Sequence, residues 1–145
     1  MKNKNVIIYP GSFDPFTKGH YDLVKRGLDI FDHIFIAVLE NPRKNCLFSV
    51  DERIELIKSY TEDDERVVVE SFKGLLVDYL KRKDVNLVMR GMRMLSDFEY
   101  EFQMSLTNRK LYNDFEAIYL VPSPDCLFVS SSVVKEIAKN KGDIS

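Results

Sequence analysis

The sequence predicts an α/β fold: a single Rossmann-like domain over residues 1–145, built on a five-stranded parallel sheet with helices on both faces. Three observations predict it. Short apolar runs alternate with helical patterns from end to end, which implies βαβ units with right-handed crossovers. The run His33–Leu39 (HIFIAVL) is apolar enough to be buried on both faces, as parallel strands are. No internal repeat, low-complexity tract or linker interrupts the alternation.

Taken in order, Val6–Tyr9 reads as the first strand. A helix opens at His20 and runs to Phe31, with His20, Leu23, Val24, Gly27 and Leu28 in i, i+3, i+4 register. His33–Leu39 is the second strand. Ser49-Val-Asp-Glu52 has capping-box spacing and starts a helix to about Tyr60 that turns Val50, Ile54 and Ile57 inward. Thr61–Arg66 is an acidic turn. Val67–Val69 is the third strand, and Leu75, Leu76, Tyr79 and Leu80 mark a short helix. Asn86–Met89 is the fourth strand, and Ser96-Asp-Phe-Glu99 is a second capping box that opens a helix to Leu111. Ala117–Val121 is the fifth strand, ended by Pro122 and Pro124. Val133, Val134, Ile137 and Ala138 form a last amphipathic helix stopped near Gly142.

A net charge of −2 argues against a general binder of nucleic acid or membrane surfaces. No apolar stretch reaches the roughly 18 residues of a membrane span, and no basic start leads into an apolar leader. A cytoplasmic protein is expected. Cys46 and Cys126 are too few for a disulfide framework, and no Cys/His cluster has zinc spacing, so no protein metal site is expected. The helix from Ser96 to Leu111 carries one stripe of Phe98, Phe102 and Leu106 and another of Tyr100 and Met104. An oligomer contact is expected there.

The chemistry centres on Tyr9 to His20, YPGSFDPFTKGH. A strand, a tight polar turn and a helix N-terminus form a ready anion site, because the first helical N–H groups lack partners and carry partial positive charge. Gly11 is expected to admit a ligand close to the backbone, and Ser12 offers a hydroxyl. His20 reads equally well as a ligand-facing imidazole or a satisfied core residue, and Asp14 beside Pro15 reads as a turn residue. In open parallel sheets ligands bind beyond the carboxyl ends of the strands, at the point where strand order reverses. Ser12 and His20, Lys44, Gly74 to Leu76, Arg90 to Arg93 and Ser130 to Ser132 all fall in strand-to-helix connections. Such a rim suits a ligand with several phosphates, with Arg90 and Arg93 forking onto phosphate oxygens and Lys44 acting as a compact charge.

At these residues the chain resembles the nucleotidylyltransferase superfamily marked by a (H/T)-x-G-H signature, here Thr17-Lys18-Gly19-His20. Within it the chain is similar to the bacterial phosphopantetheine adenylyltransferases. YPGSFDPFTKGH, the lysine before LFSVDER, RGMR, DFEYE and VSSSVVKE carry the likeness over almost the whole chain. The resemblance implies transfer of AMP from ATP to 4'-phosphopantetheine, giving dephospho-coenzyme A and pyrophosphate, with Mg2+ carried by the nucleotide. It implies that His20 stabilises the transition state with Ser12, Lys44 and Arg90 at the reacting phosphates, and that Ser12, Lys44, Leu76 and Arg90 hold the acceptor. Ser12, Phe13, His20, Gly91, Met92, Arg93, Glu101 and the run Cys126, Leu127, Phe128, Val129, Ser130, Ser131 and Ser132 are implied at ATP. A homohexamer and inhibition by coenzyme A are also implied. Position 12 is Ser where the family more often has Thr, and relatives usually continue past the equivalent of Ser145, which bears on C-terminal packing.

The chemistry needs no general base. A phosphate monoester, with a second pKa of about 6, is already largely dianionic at neutral pH. The task is to bring two polyanions together and neutralise the transferred phosphoryl group. Two other readings compete: another adenylyltransferase of the superfamily with a different phosphorylated acceptor, and a non-catalytic module that senses ATP. The combination of Lys44, Leu76 and Arg90 favours pantetheine over the first. The second would not need His20.

Overall fold

The computed structural model describes residues 5–41, 45–92 and 95–124. Its elements run β1 (Val6–Gly11), α1 (Lys18–Leu28), β2 (His33–Leu39), α2 (Val50–Thr61), β3 (Val67–Phe72), α3 (Leu76–Lys83), β4 (Leu87–Gly91), α4 (Leu95–Leu111) and β5 (Glu116–Leu120). The expected last helix lies outside the described residues. The five strands form one parallel sheet in the order β3-β2-β1-β4-β5. Strand order therefore reverses at β1, and the crevice between the carboxyl ends of β1 and β4 is the switch point where such sheets bind ligands.

Side-chain alternation along the strands separates the core into two layers. Ile7, Tyr9, Ile34, Ile36, Val38 and Met89 pack on one face against Leu23 and Val24 of α1 and Ile57 of α2. Val6, Ile8, Ala37 and Val88 pack on the other against Val77, Tyr79 and Leu80 of α3 and Tyr112 and Phe115. Burying each such Ile or Val side chain stabilises the fold by about 1.5–3 kcal/mol. Helices thus cover both faces, as the apolar run of β2 predicts.

Strand ends differ from expectation where the site lies. β1 continues through Pro10 to Gly11 and β3 to Phe72, while β4 starts at Leu87 and continues through Arg90 to Gly91. Pro10, Gly11 and Gly91 look like breakers in sequence, yet Pro10 pairs in register with Ala37, Gly11 with Val38 and Gly91 with Leu120. Tertiary pairing overrides local preference. α1 starts at Lys18, before His20, and ends at Leu28, leaving Phe31 as a buried residue of the turn into β2. α4 starts at Leu95, so Ser96 lies within the helix and not at its cap. β1 and β2 match over six residue pairs, whereas β1 meets β4 at the single pair Ile8 and Val88. At the carboxyl ends the Arg90 side chain bridges the two strands, donating to the Pro10 carbonyl at 3.0 Å.

Candidate active site

The signature around His20 is first a helix cap. Thr17 is the N-cap of α1 and His20 stands at its third helical position. The Thr17 hydroxyl oxygen accepts from the His20 amide at 3.4 Å, and the Thr17 amide donates to His20 Nδ1 at 2.9 Å. The pair forms a capping box with imidazole where Glu or Gln usually stands. Because Nδ1 is the acceptor, the neutral ring carries its proton on Nε2, which is then a donor. Phe16 stacks on the ring at 5.4 Å and Phe13 meets it edge-on at 5.1 Å. His20 is half-buried, and the two rings and the cap together fix its orientation.

The turn between β1 and α1 is braced from α2. Arg53 is 3% exposed and donates to the carbonyls of Ser12 at 2.7 Å, Leu39 at 3.3 Å and Ser49 at 3.3 Å. Asp14 is 2% exposed, and its carboxylate accepts from the amides of Leu47 and Phe48, both at 2.8 Å. Asp14 is therefore not a mere turn residue: it ties the turn to the loop that follows β2. Phe13 has φ +50°, left-handed backbone that a bulky residue adopts only where its surroundings hold it. Gly11 lines the cavity between β1 and β4 and is also packed closely. A Cβ there would stand 3.1 Å from the Phe13 ring, so the missing side chain serves packing.

Across the switch point, Arg90 donates to Glu101 through Nη2 at 2.7 Å and Nε at 3.1 Å, and to the Pro10 carbonyl through Nη1 at 3.0 Å. Burial pulls the Arg90 pKa down, but the hydrogen bonds and charge of Glu101 outweigh it and hold the guanidinium above its ordinary value. The expected open fork on phosphate is thus largely committed. Of five N–H groups, one on each terminal nitrogen remains for a ligand. Ser12, Leu76, Arg90, Glu101, Met104 and Asn108 line one cavity of about 340 Å³. Glu101, expected beside the nucleotide, lines this cavity and grips Arg90.

Gly91 faces α1: a Cβ there would stand 2.4 Å from Leu23 Cδ1, so this position fixes how closely α1 approaches β4. The Met92 amide donates to the Leu120 carbonyl at 3.0 Å. Past β5, Asp22 of α1 accepts from the Ser123 amide and hydroxyl, both at 2.9 Å, and Arg26 donates to the same hydroxyl at 2.7 Å. This clamp sets the course of the chain just before Cys126. Lys44, Arg93 and Cys126 to Ser132 lie outside the described residues. The sequence reading missed Arg53, Asp14 and the clamp. The T-x-x-H spacing was the available signal for the cap.

The Cytidylyltransferase-like family profile matches residues 8–137. A phosphopantetheine adenylyltransferase of Caldanaerobacter subterraneus subsp. tengcongensis is 54% identical over 140 residues, covering 97% of this chain and 88% of that protein. Its counterpart from Thermotoga neapolitana is 49% identical, with 97% and 87% covered. The chain belongs to the phosphopantetheine adenylyltransferase family. Members of this family are nucleotidyltransferases, and the fold agrees. The chain superposes on a Plasmodium falciparum nicotinic acid mononucleotide adenylyltransferase complexed with NaAD at TM-score 0.69 and 18% identity, covering 98% of this chain and 87% of that one. A Francisella tularensis bifunctional NMN adenylyltransferase/ADP ribose pyrophosphatase, complexed with AMP and Mn ion, gives TM-score 0.69 and 18% identity, with 97% and 43% covered.

Proposed function

We propose that this chain transfers the adenylyl group of ATP to 4'-phosphopantetheine, forming dephospho-coenzyme A and pyrophosphate in coenzyme A biosynthesis. The observation that carries the reading is one cavity lined by Ser12, Arg90 and Leu76 together. The acceptor phosphate meets Ser12, Lys44 and the remaining N–H groups of Arg90, with the pantetheine arm along Leu76. Its oxygen attacks the α-phosphorus of ATP in line, a new P–O bond forms, and the bond to the β-phosphate oxygen breaks. His20, oriented through Nδ1, donates from Nε2 to the charge that develops on the transferred group. Preorganised donors of this kind need no reorganisation as the charge grows.

ATP lies along Ser12, Phe13, His20, Gly91, Met92 and Arg93, with Cys126 to Ser132 closing over it. Among the described residues no group of three His, Cys, Asp or Glu side chains is placed to hold a metal ion. In this reading Mg2+ enters with the nucleotide, ligated by phosphate oxygens and water. Coenzyme A, which shares the pantetheine arm, competes for the Leu76 wall. Among the described residues no helix is long and apolar enough to cross a membrane, and the enzyme works in the cytoplasm. It assembles as a homohexamer through α4, where Phe98, Tyr100, Phe102, Met104 and Leu106 are 40–64% exposed. A monomeric mass in sedimentation at micromolar protein would refute that contact.

The test is pyrophosphate release from ATP and Mg2+ with 4'-phosphopantetheine, nicotinate mononucleotide or no acceptor. Release only with 4'-phosphopantetheine is expected. Equal release with the mononucleotide, or ATP binding without release, would overturn the reading.

A further inference from the structure

Arg53, which braces the turn after β1, is also a buried cation. It is 3% exposed and its hydrogen bonds go only to backbone carbonyls, those of Ser12, Leu39 and Ser49. No ion pair joins it to a carboxylate among the described residues. The carboxylates around it are engaged or point to water: Asp14 holds the amides of Leu47 and Phe48, Glu52 holds the amide of Ser49, and Asp51 is exposed. Arg53 also lies in the first turn of α2, where the helix dipole disfavours positive charge. Burying an ion without a directly paired counter-ion is costly, and in this structure three carbonyl oxygens alone contact the guanidinium, so a bound anion nearby would add to what holds it.

The strongest of its bonds points to the place of such an anion. Ser12 carbonyl, the acceptor at 2.7 Å, belongs to the same peptide group as the Phe13 amide. None of the hydrogen bonds among the described residues uses that amide, although Phe13 is 4% exposed. A charged donor on the carbonyl oxygen polarises the peptide and strengthens its N–H as a donor.

We propose that Arg53 is an electrostatic positioning residue for the phosphates of the nucleotide. Its counter-charge is the polyphosphate bound on the β1 turn, which it reaches through the Ser12–Phe13 peptide. The inference rests on the reading that ATP occupies this turn, and extends it to a residue that touches no substrate.

The test compares Arg53→Gln, which still donates hydrogen bonds but lacks charge, with Arg53→Lys, which keeps charge but loses the fork. Calorimetry with inorganic pyrophosphate alone reads the turn without any acceptor. On the scale known for the outer partners of metal ligands, about 10- to 100-fold, R53Q is expected to lose at least about tenfold in pyrophosphate affinity and in kcat, with R53K within about threefold in affinity. R53Q binding pyrophosphate like the wild type, whatever its melting temperature, would overturn the proposal, as would equal losses in both variants. Should R53Q fail to fold, R53K decides alone: near-wild-type affinity supports the proposal and a tenfold loss overturns it. Wild-type protein that binds pyrophosphate but makes no dephospho-coenzyme A would refute the acceptor assignment and leave Arg53 standing. Wild-type protein that binds no pyrophosphate would refute both.

Discussion

Arg53 and Arg90 both reach the end of β1 from opposite sides, and they are held in opposite ways. Arg90 approaches from β4 and is matched by Glu101, so the pair itself carries no net charge. Arg53 approaches from α2 and meets carbonyls only. The same residue type thus makes a balanced wall on one side and a positive floor on the other. A neutral wall suits an acceptor with a long uncharged arm, and a positive floor suits a polyphosphate. The field is set less by the number of cations than by which of them have a carboxylate nearby.

The largest expected effect is on the positive side. His20→Ala is expected to lower kcat roughly 10²- to 10³-fold, the range for losing one such donor. His20→Gln separates its two roles, because Gln at this position still completes a capping box. Its melting temperature should stay near wild type while its turnover falls as far as that of the alanine variant. Turnover near wild type in H20Q would mean that His20 is only a cap.

Next comes the neutral wall. Glu101→Ala leaves the partly exposed Arg90 charge without its partner and is expected to destabilise the fold by about 1–2 kcal/mol in urea unfolding, between exposed and fully buried pairs. Arg90→Met in the same chain should restore most of that loss, since the stranded charge is then gone. A single variant as stable as wild type would show that the wall does not depend on charge balance.

The smallest effect lies at the clamp. Burial raises the Asp22 pKa, but the Ser123 and Arg26 hydrogen bonds outweigh it and hold the carboxyl below the usual carboxylate range. With the folded value depressed, its stabilisation is full above the unfolded value of about 3.9 and is lost as pH falls through the folded one. Asp22→Asn should cost below about 1 kcal/mol at pH 7, as partly exposed pairs do. Melting curves of the two proteins should converge toward pH 3. A gap that persists there would assign the effect to shape and not to charge.

The alternation of strands and helices, the inward faces of α1 to α3 and the gathering of Ser12, Leu76 and Arg90 at one rim were legible in the sequence, because each follows from local periodicity and turn chemistry. The braces were not. Arg53 meets Ser12 across 41 positions and Asp14 meets Phe48 across 34, and no spacing rule connects residues so far apart. Arg90 could be seen as a phosphate ligand, but its partner Glu101 lies on the next helix and only the packing of α4 brings them together. The cap at Thr17 was readable from spacing alone, had imidazole been counted beside Glu and Gln as a partner.

The single pairing of Ile8 with Val88 makes the middle line of the sheet its shortest ladder. One portion carries β3, β2 and β1 with the phosphate turn, and the other carries β4 and β5 with the arginine wall. Arg90, reaching over to the Pro10 carbonyl, is a stitch across that line. The clamp of Asp22 and Arg26 on Ser123 is a second tie across the same line, so side chains hold together the two portions that the backbone ladder joins most briefly.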